Sequence, residues 1–309
     1  MELWQLRQKQ SLPLEAKIVM SQQRIRQWYE HWSGKVYVSF SGGKDSTVLL
    51  HLVRQLYPRV PAVFVDTGLE YPEIRDFVKT MDNVRWVTPK IPFSRVIKKY
   101  GFPVISKAVA RFIRDLQNPT ETNVNTRNLR LTGYNSIGEY CPSGKLSEKW
   151  RYLVMSPFKI SEQCCEFMKK EPFKRYQRET QRVFLDGTMA SDSGQRERTH
   201  LKAGSCNAFD NKNPASRPLS FWLESDIWDY IHSENLPYSK IYDLGVSRTG
   251  CMFCMFGVHL EPEPNRFQRM QVTHPTQYKY CMEKLGLQEV LEYINVPYRR
   301  QLDIYSYMN

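Results

Sequence analysis

The chain has 309 residues, with 44 Lys and Arg against 32 Asp and Glu, a formal charge of +12, and 41% hydrophobic residues. That length can bury a sizeable core, and the composition is not that of a disordered chain. No apolar run reaches the roughly 18–20 residues of a bilayer span, and the first residues lack the basic-then-apolar pattern of a secretory signal. The expectation is a soluble, cytoplasmic protein with no membrane partner. Its seven unevenly clustered cysteines suit metal or thiol chemistry in a reducing compartment. Its positive balance suits an anionic partner, a nucleotide or a nucleic acid.

In chain order, residues 1–33 read as a helical extension, with Ile25, Trp28, Tyr29 and Trp32 at helical spacing and Gly34 as its stop. Residues 35–40 read as a strand and Ser41-Gly42-Gly43 as a tight turn. From Asp45 to about Tyr57 a helix carries Val48, Leu49, Leu52, Val53 and Leu56 on one face. Residues 61–66, 84–87 and 182–186 read as further strands. Strands alternating with helices predict an α/β fold, a twisted parallel sheet flanked by helices, with helical extensions at both ends. The predicted organisation is an extension over 1–33, a nucleotide-binding domain with a cysteine site over 34–260, and a helical extension over 261–309. The polar stretch 118–149 reads as a long excursion or lid, and 191–218 as a second loop-rich stretch.

Ligands of such sheets bind at the carboxyl ends of the strands, here residues 39–46, 66–68 and 186–188. In Ser39-Phe40-Ser41-Gly42-Gly43-Lys44-Asp45-Ser46, two glycines allow a sharp turn and close backbone approach to a ligand. The helix that follows offers unpaired N–H groups and a positive dipole end, which suit a phosphate. Hydroxyls on Ser39, Ser41 and Ser46 and the Lys44 ammonium add donors. The string is not a Walker A loop, and the plain alternative is an ordinary strand–helix turn. The string resembles the pyrophosphate-binding loop of the PP-loop ATP pyrophosphatases and of the adenosine phosphosulfate and phosphoadenosine phosphosulfate reductases. That resemblance implies a Rossmann-like nucleotide fold and an adenine nucleotide, ATP or a sulfonucleotide, with its phosphates on residues 39–46. It also places Asp66, Thr67 and Gly187 with the nucleotide, because Phe64-Val65-Asp66-Thr67-Gly68 resembles the reductases' second-strand segment.

Cys164-Cys165 and the C-x-x-C of Cys251 and Cys254 form the second signal. A C-x-x-C turn needs a second pair to close a four-sulfur site. Adjacent cysteines chelate one tetrahedral zinc awkwardly, whereas an iron–sulfur cluster accepts them on different irons; zinc and unliganded thiols stay open. Lys169, Lys170 and Arg248 are candidates to offset thiolate charge. The arrangement is similar to the [4Fe-4S] site of assimilatory sulfonucleotide reductases, and the flanks Leu236-Pro237-Tyr238, Tyr242-Asp243 and Gly250-Cys251 resemble the same segment. Of the other cysteines, Cys141 and Cys206 read as loop thiols, and Cys281 as either the counterpart of the reductases' nucleophile or a core thiol.

Two departures from that family stand out. Cys281 lies in Tyr280-Cys281-Met282-Glu283 rather than Glu-Cys-Gly-Leu-His, and the expected Gly-Leu-Arg after the late strand is replaced, with guanidinium groups displaced to Arg196 and Arg198. Loop and cluster without the terminal nucleophile resemble the iron–sulfur sulfurtransferase branch, which acts on DNA or tRNA. The implied reaction is adenylation of a substrate with release of pyrophosphate, followed by exchange for sulfur. Lys44 and Asp45 are its candidate catalytic residues, Arg196 and Arg198 contact substrate, Mg²⁺ bridges the phosphates, and a sulfur donor or reductant protein is a partner. The alternatives are a sulfonucleotide reductase using Cys281 and a non-catalytic iron–sulfur nucleic-acid-binding protein. Tyr278, Tyr280, Tyr293, Tyr298, Tyr305 and Tyr307 read as packing for terminal helices, with base stacking as the alternative. His259 and His274 receive no role.

Overall fold

The structure is a computed structural model and describes residues 1–211 and 213–300. Its elements are, in chain order, α1 (Leu3–Gln10), α2 (Leu14–His31), β1 (Val36–Ser39), α3 (Lys44–Leu56), β2 (Ala62–Val65), α4 (Pro72–Lys79), β3 (Val84–Val87), α5 (Phe93–Tyr100) and β4 (Val104–Ile105). They continue as α6 (Lys107–Gln117), α7 (Val124–Thr132), α8 (Glu171–Thr180), β5 (Val183–Leu185), α9 (Gly194–Ala203), β6 (Asn207–Ala208), β7 (Ala215–Ser216) and α10 (Glu224–Ser233). The last are β8 (Met255–Phe256), α11 (Arg266–Thr273), α12 (Pro275–Lys279) and α13 (Leu287–Tyr293). The chain divides into two compact units: Met1–Asp66, Glu70–Pro89 and Glu171–Thr249 form the first, and Thr67–Leu69, Lys90–Lys170 and Gly250–Asn309 the second.

The first unit holds a six-stranded sheet of order β3-β2-β1-β5-β7-β6. All neighbours are parallel except β6 and β7. Val38 faces Ala62, Val36 faces Val183 and Val63 faces Arg85. Strands buried on both faces need continuous apolar runs, and Val36, Tyr37 and Val38 of β1 and Ala62, Val63 and Phe64 of β2 are all buried. Helix α3 buries Val48, Leu49, Leu52 and Val53, while Tyr37, Val63 and Tyr176 form a cluster joined by Val87, Phe173 and Phe184. The four strands expected from sequence are present. β6 and β7 add an edge that no alternating pattern announced.

Helix α2 belongs to this unit's core. Its inward stripe is Lys17, Ser21, Ile25 and Trp28, half of it polar, so apolar spacing revealed only its far end. The Lys17 ammonium meets both Asp226 carboxylate oxygens at 2.8 and 2.7 Å. Ser21 Oγ donates to the Pro218 carbonyl at 3.0 Å and accepts from Trp222 Nε1 at 2.9 Å. The stretch 191–218, expected to be loop-rich, contains α9. Ser193 caps that helix by accepting from Arg196 N, and Gly204 ends it in the left-handed region. Gln, Arg, Glu and Lys are good helix formers, but with His200 as its one buried residue α9 has no apolar stripe to read.

In the second unit, β4 and β8 pair in parallel, Val104 facing Met255. Helix α5 buries Phe93, Val96 and Ile97, and α6 buries Ala110, Phe112, Ile113 and Leu116 behind an N-cap on Ser106. The polar excursion expected over 118–149 contains α7, which buries no residue, and a turn closed by pairing of Tyr134 with Tyr140. Among the described residues, two π-helical turns occur, Glu166–Lys170 directly after the cysteine pair and Tyr280–Lys284 around Cys281. Tyr278 donates to the Tyr298 carbonyl at 2.9 Å, and Tyr293 packs against Tyr152 and Phe158. Tyr305 and Tyr307 lie outside the described residues. No described helix is long and apolar enough to cross a membrane.

Candidate functional site

The phosphate-loop candidate is built entirely within the first unit. β1 delivers Ser39 to the carboxyl edge of the sheet, and the chain turns through Gly42 at φ +72° into α3. A Cβ on Gly42 would lie 2.7 Å from Val78 Cγ2, so glycine is required there both by conformation and by space. The loop is internally tied. Ser41 N donates to Ser46 Oγ at 3.2 Å, Gly43 N to Ser41 Oγ at 3.3 Å, and Ser46 Oγ to the Gly43 carbonyl at 2.8 Å. The first intrahelical bond runs from Thr47 N to the Gly43 carbonyl at 3.0 Å, which leaves the amides of Asp45 and Ser46 ahead of the helical ladder.

Lys44 is buried and folded back. Its amide donates to the Tyr242 hydroxyl at 2.8 Å, its ammonium donates to the Ser247 carbonyl at 3.0 Å, and Glu224 Oε1 stands 3.0 Å from Nζ. Nζ also lies 5.3 Å from the Tyr242 ring centroid and 5.9 Å from that of Trp228. Tyr242, Ser247 and Glu224 were not predicted as partners, because each is about two hundred positions away along the chain. Burial pushes the Asp45 carboxyl up to about 6, helped by Asp192 and Glu224 and opposed by Lys44 and Arg196. Asp45 Oδ1 is buried without a hydrogen-bond partner, the Lys44 ammonium standing 4.0 Å away, which leaves it able to accept from a donor.

The neighbouring strand ends complete the edge. Gly187 follows β5, and a Cβ there would come within 3.0 Å of the Asp45 carbonyl, so its lack of side chain lets the two backbones meet. Asp186 accepts from Thr188 N at 3.0 Å and pairs with Arg217 at 3.3 Å. Asp66, at the end of β2, accepts from Arg75 at 2.8 Å. Thr67 falls in the second unit, where its hydroxyl accepts from Leu69 N at 3.1 Å. Arg196 is exposed and pairs with Asp192, and Arg198 is exposed on the same helix. Arg248, expected beside the cysteines, instead donates to the Asp192 carbonyl at 3.0 Å, which adds a third guanidinium to that segment.

The cysteine centre lies entirely within the second unit. Cys164, Cys165, Cys251 and Cys254 line one cavity with Leu69, Phe93, Pro103, Met168, Phe253 and Lys169, about 340 Å³ of open space including its mouth. The Cys164 thiol donates to Cys165 Sγ at 3.9 Å. That bond, with Lys107 and Lys169, brings Cys165 down to about 6, and the same bond plus burial drives Cys164 far upward. Cys254 N donates to the Cys251 carbonyl at 3.1 Å to close the C-x-x-C turn, and Arg266 donates to the Cys254 carbonyl at 2.8 Å. Lys107 is the cation that spacing could not find; Lys170 instead pairs with Glu166 at 3.2 Å. Among the described residues, no three His, Cys, Asp or Glu side chains converge on a single metal-ion position. The four thiols therefore share a cavity rather than a point.

Cys281 is 0% exposed. Its thiol donates to the Tyr278 carbonyl at 3.2 Å, and burial pushes it up to about 12. A thiol in that state is a poor nucleophile, because attack requires the thiolate. This is the environment of a core thiol, and Cys281 is not among the residues that line the cysteine cavity.

The sequence matches the phosphoadenosine phosphosulfate reductase domain family over residues 35–104 and 139–256. It is 26% identical over 267 residues to an uncharacterized protein of Methanocaldococcus jannaschii, covering 84% of this chain and 51% of that protein. A second uncharacterized protein of that organism is 28% identical over 236 residues, covering 74% of this chain and 38% of the relative. The chain thus spans about half or less of these two relatives. An adenosine 5'-phosphosulfate reductase of Geobacillus kaustophilus is 24% identical over 261 residues, covering 81% of this chain and 86% of the reductase. Among solved structures, a Candida auris phosphoadenylyl-sulfate reductase aligns with a TM-score of 0.44 at 16% identity, covering 78% of this chain and 96% of that one. With the family match spanning the loop, the late strand and all four clustered cysteines, the chain belongs to the phosphoadenosine phosphosulfate reductase domain family.

Proposed function

We propose that the protein is an enzyme that binds an adenine nucleotide on residues 39–46 and acts at its α-phosphorus. The observation that carries this reading is the strand–glycine–helix turn. Its Gly42 admits no side chain, Gly187 packs closely against it, and its Asp45 and Ser46 amides stand ahead of the helical ladder. Such a turn offers directed N–H donors and a positive dipole end to an anion. Lys44, now held by Glu224 and Ser247, would exchange those partners for phosphate oxygens and offset charge as pyrophosphate leaves. Asp45, whose Oδ1 has no donor, is the acceptor that fits Mg²⁺ carried in on the nucleotide. Arg196, Arg198 and Arg248 would contact an anionic substrate in this reading. In this reading an oxygen nucleophile of the substrate attacks the α-phosphorus, the bond to the β-phosphate oxygen breaks, and pyrophosphate departs.

The four-cysteine cavity fits a [4Fe-4S] cluster. Its walls are otherwise apolar apart from Lys169. The Cys164 hydrogen bond, helped by Lys107 and Lys169, draws Cys165 toward thiolate, and the two lysines would offset negative charge. That same bond and burial push Cys164 the other way, as burial does Cys254. A cluster spreads its ligands over separate irons, so its sulfurs need not converge on one point. When bound, such a cluster supplies redox or sulfur-handling chemistry. The +12 balance supports an anionic acceptor, DNA or tRNA, with a sulfur-donor or reductant protein as second partner.

Sulfonucleotide reduction is the second reading, favoured by relatives named as adenosine 5'-phosphosulfate reductases. It requires a nucleophilic thiol, and the burial of Cys281 argues against that residue supplying one. Anaerobic incubation with ATP and candidate acceptors, beside incubation with adenosine 5'-phosphosulfate and a thiol reductant, separates the two. Pyrophosphate and AMP from ATP support adenylation. Sulfite from the sulfonucleotide, with no product from ATP, would overturn it.

A further inference from the structure

A second cavity lies wholly in the second unit, lined by Lys99, Tyr100, Arg114, Asp115, Asn118, Asn123, Lys159 and Gln163, with about 510 Å³ of open space including its mouth. Four of these residues, Arg114, Asp115, Asn118 and Asn123, lie between the two stretches that match the family. We infer that this cavity binds a compact tetrahedral dianion, with the phosphate group as its preferred ligand.

The charge supports it. Arg114 is held by Glu162 at 2.6 Å and by Asp115 at 3.1 Å, and Arg130 meets the other Asp115 oxygen at 3.1 Å. Those two arginines and two carboxylates balance. Among the described residues neither Lys99 nor Lys159 forms an ion pair, and both are exposed, which leaves two solvated cations of the lining available to an anion. A dianion matches that count, and the remaining N–H groups of Gln163, Asn118 and Asn123 can add donors. The amides are fixed: Asn118 Nδ2 donates to the Arg114 carbonyl at 2.8 Å, and Asn123 Nδ2 to the Asn118 carbonyl at 2.9 Å.

The aromatic residue in the wall argues against a nucleotide base. Phe167 stacks on Tyr100 at 4.3 Å with planes 15° apart, and the Lys99 ammonium lies 5.2 Å from the same ring. The ring is used in the wall rather than offered to a base. Asp115 selects between oxyanions. A carboxylate repels a fully deprotonated oxygen but accepts a hydrogen bond from a protonated one, so hydrogen phosphate is favoured over sulfate.

Isothermal titration of the full chain with inorganic phosphate and inorganic sulfate at pH 7 tests this, in the native protein, the Lys99→Gln/Lys159→Gln variant and the Lys44→Ala variant. Circular dichroism and a Lys159→Arg variant that keeps the charge control for folding. The expected result is phosphate binding tighter than sulfate binding, weakened at least tenfold in Lys99→Gln/Lys159→Gln and retained in Lys159→Arg and Lys44→Ala. Absence of phosphate binding, loss in Lys44→Ala, or no loss in the double-lysine variant overturns the inference. Tighter sulfate than phosphate overturns the role given to Asp115. Because Lys44 is tested separately, failure here is distinguishable from failure of the phosphate loop.

Discussion

Asp45 should make the ligand-free protein less stable than it could be. Its carboxyl is raised from 3.8 to about 6, first by burial and then by Asp192 and Glu224. A raised value means that the folded state holds this proton more tightly than the unfolded chain. The stabilisation is therefore complete below about pH 3.8 and is lost as pH rises through about 6. At neutral pH the charged side chain opposes folding. The displacement sets a ceiling of roughly 3 kcal/mol; with 33% of the side chain exposed, solvent screening reduces it to roughly 1–2 kcal/mol. Asp45→Asn keeps the shape and removes the charge, so at pH 8 it should be more stable by that amount, about 2–4 °C in melting temperature. Near pH 4 the two proteins should melt together, and the variant should lose nucleotide turnover. Thermal melts across pH 4–8 without nucleotide supply the test. A variant no more stable than the native chain at pH 8, or a gap independent of pH, would refute the reasoning.

Further outcomes follow from other contacts. Lys17→Met leaves the Asp226 carboxylate buried and unpaired, so denaturant titration should record a loss of roughly 3–5 kcal/mol, most of it recovered in Lys17→Met/Asp226→Asn. Gly42→Ala combines positive-φ strain with a Cβ 2.7 Å from Val78, for roughly 2–4 kcal/mol, whereas Gly138→Ala, at positive φ in open space, should lose only about 1–2 kcal/mol. Cys251→Ser should lower the iron and sulfide content of anaerobically purified protein; unchanged content would contradict the proposed ligand set. Cys281→Ser should leave both iron content and ATP turnover intact, since that thiol is buried away from solvent.

The strands that position the loop were legible because each apolar run ends abruptly in a polar residue, Ser39, Asp66 or Asp186. β6 and β7 are two residues each, too short to carry a period. Helix α9 escaped notice for the opposite reason, since it is a helix with no apolar stripe. At the sites, local spacing announced what lies close in sequence: two glycines, a C-x-x-C and a cysteine pair. It could not announce partners brought in by folding. Tyr242, Ser247 and Glu224 reach Lys44 from another part of the chain, and Lys107 approaches Cys165 from a different helix. Lys17 was hidden because a lysine in a helical stripe reads as solvated unless its carboxylate partner is known. Arg248 was assigned by sequence proximity to Cys251, while its guanidinium is committed to the Asp192 carbonyl.

The central claim is that residues 39–46 hold the phosphates of an adenine nucleotide, and calorimetric titration of ATP with Mg²⁺ into the native chain and into Lys44→Ala tests it most directly. The account predicts saturable binding of one nucleotide per chain, weakened at least tenfold by the substitution. No binding to the native chain, or equal affinity in both proteins, would contradict it.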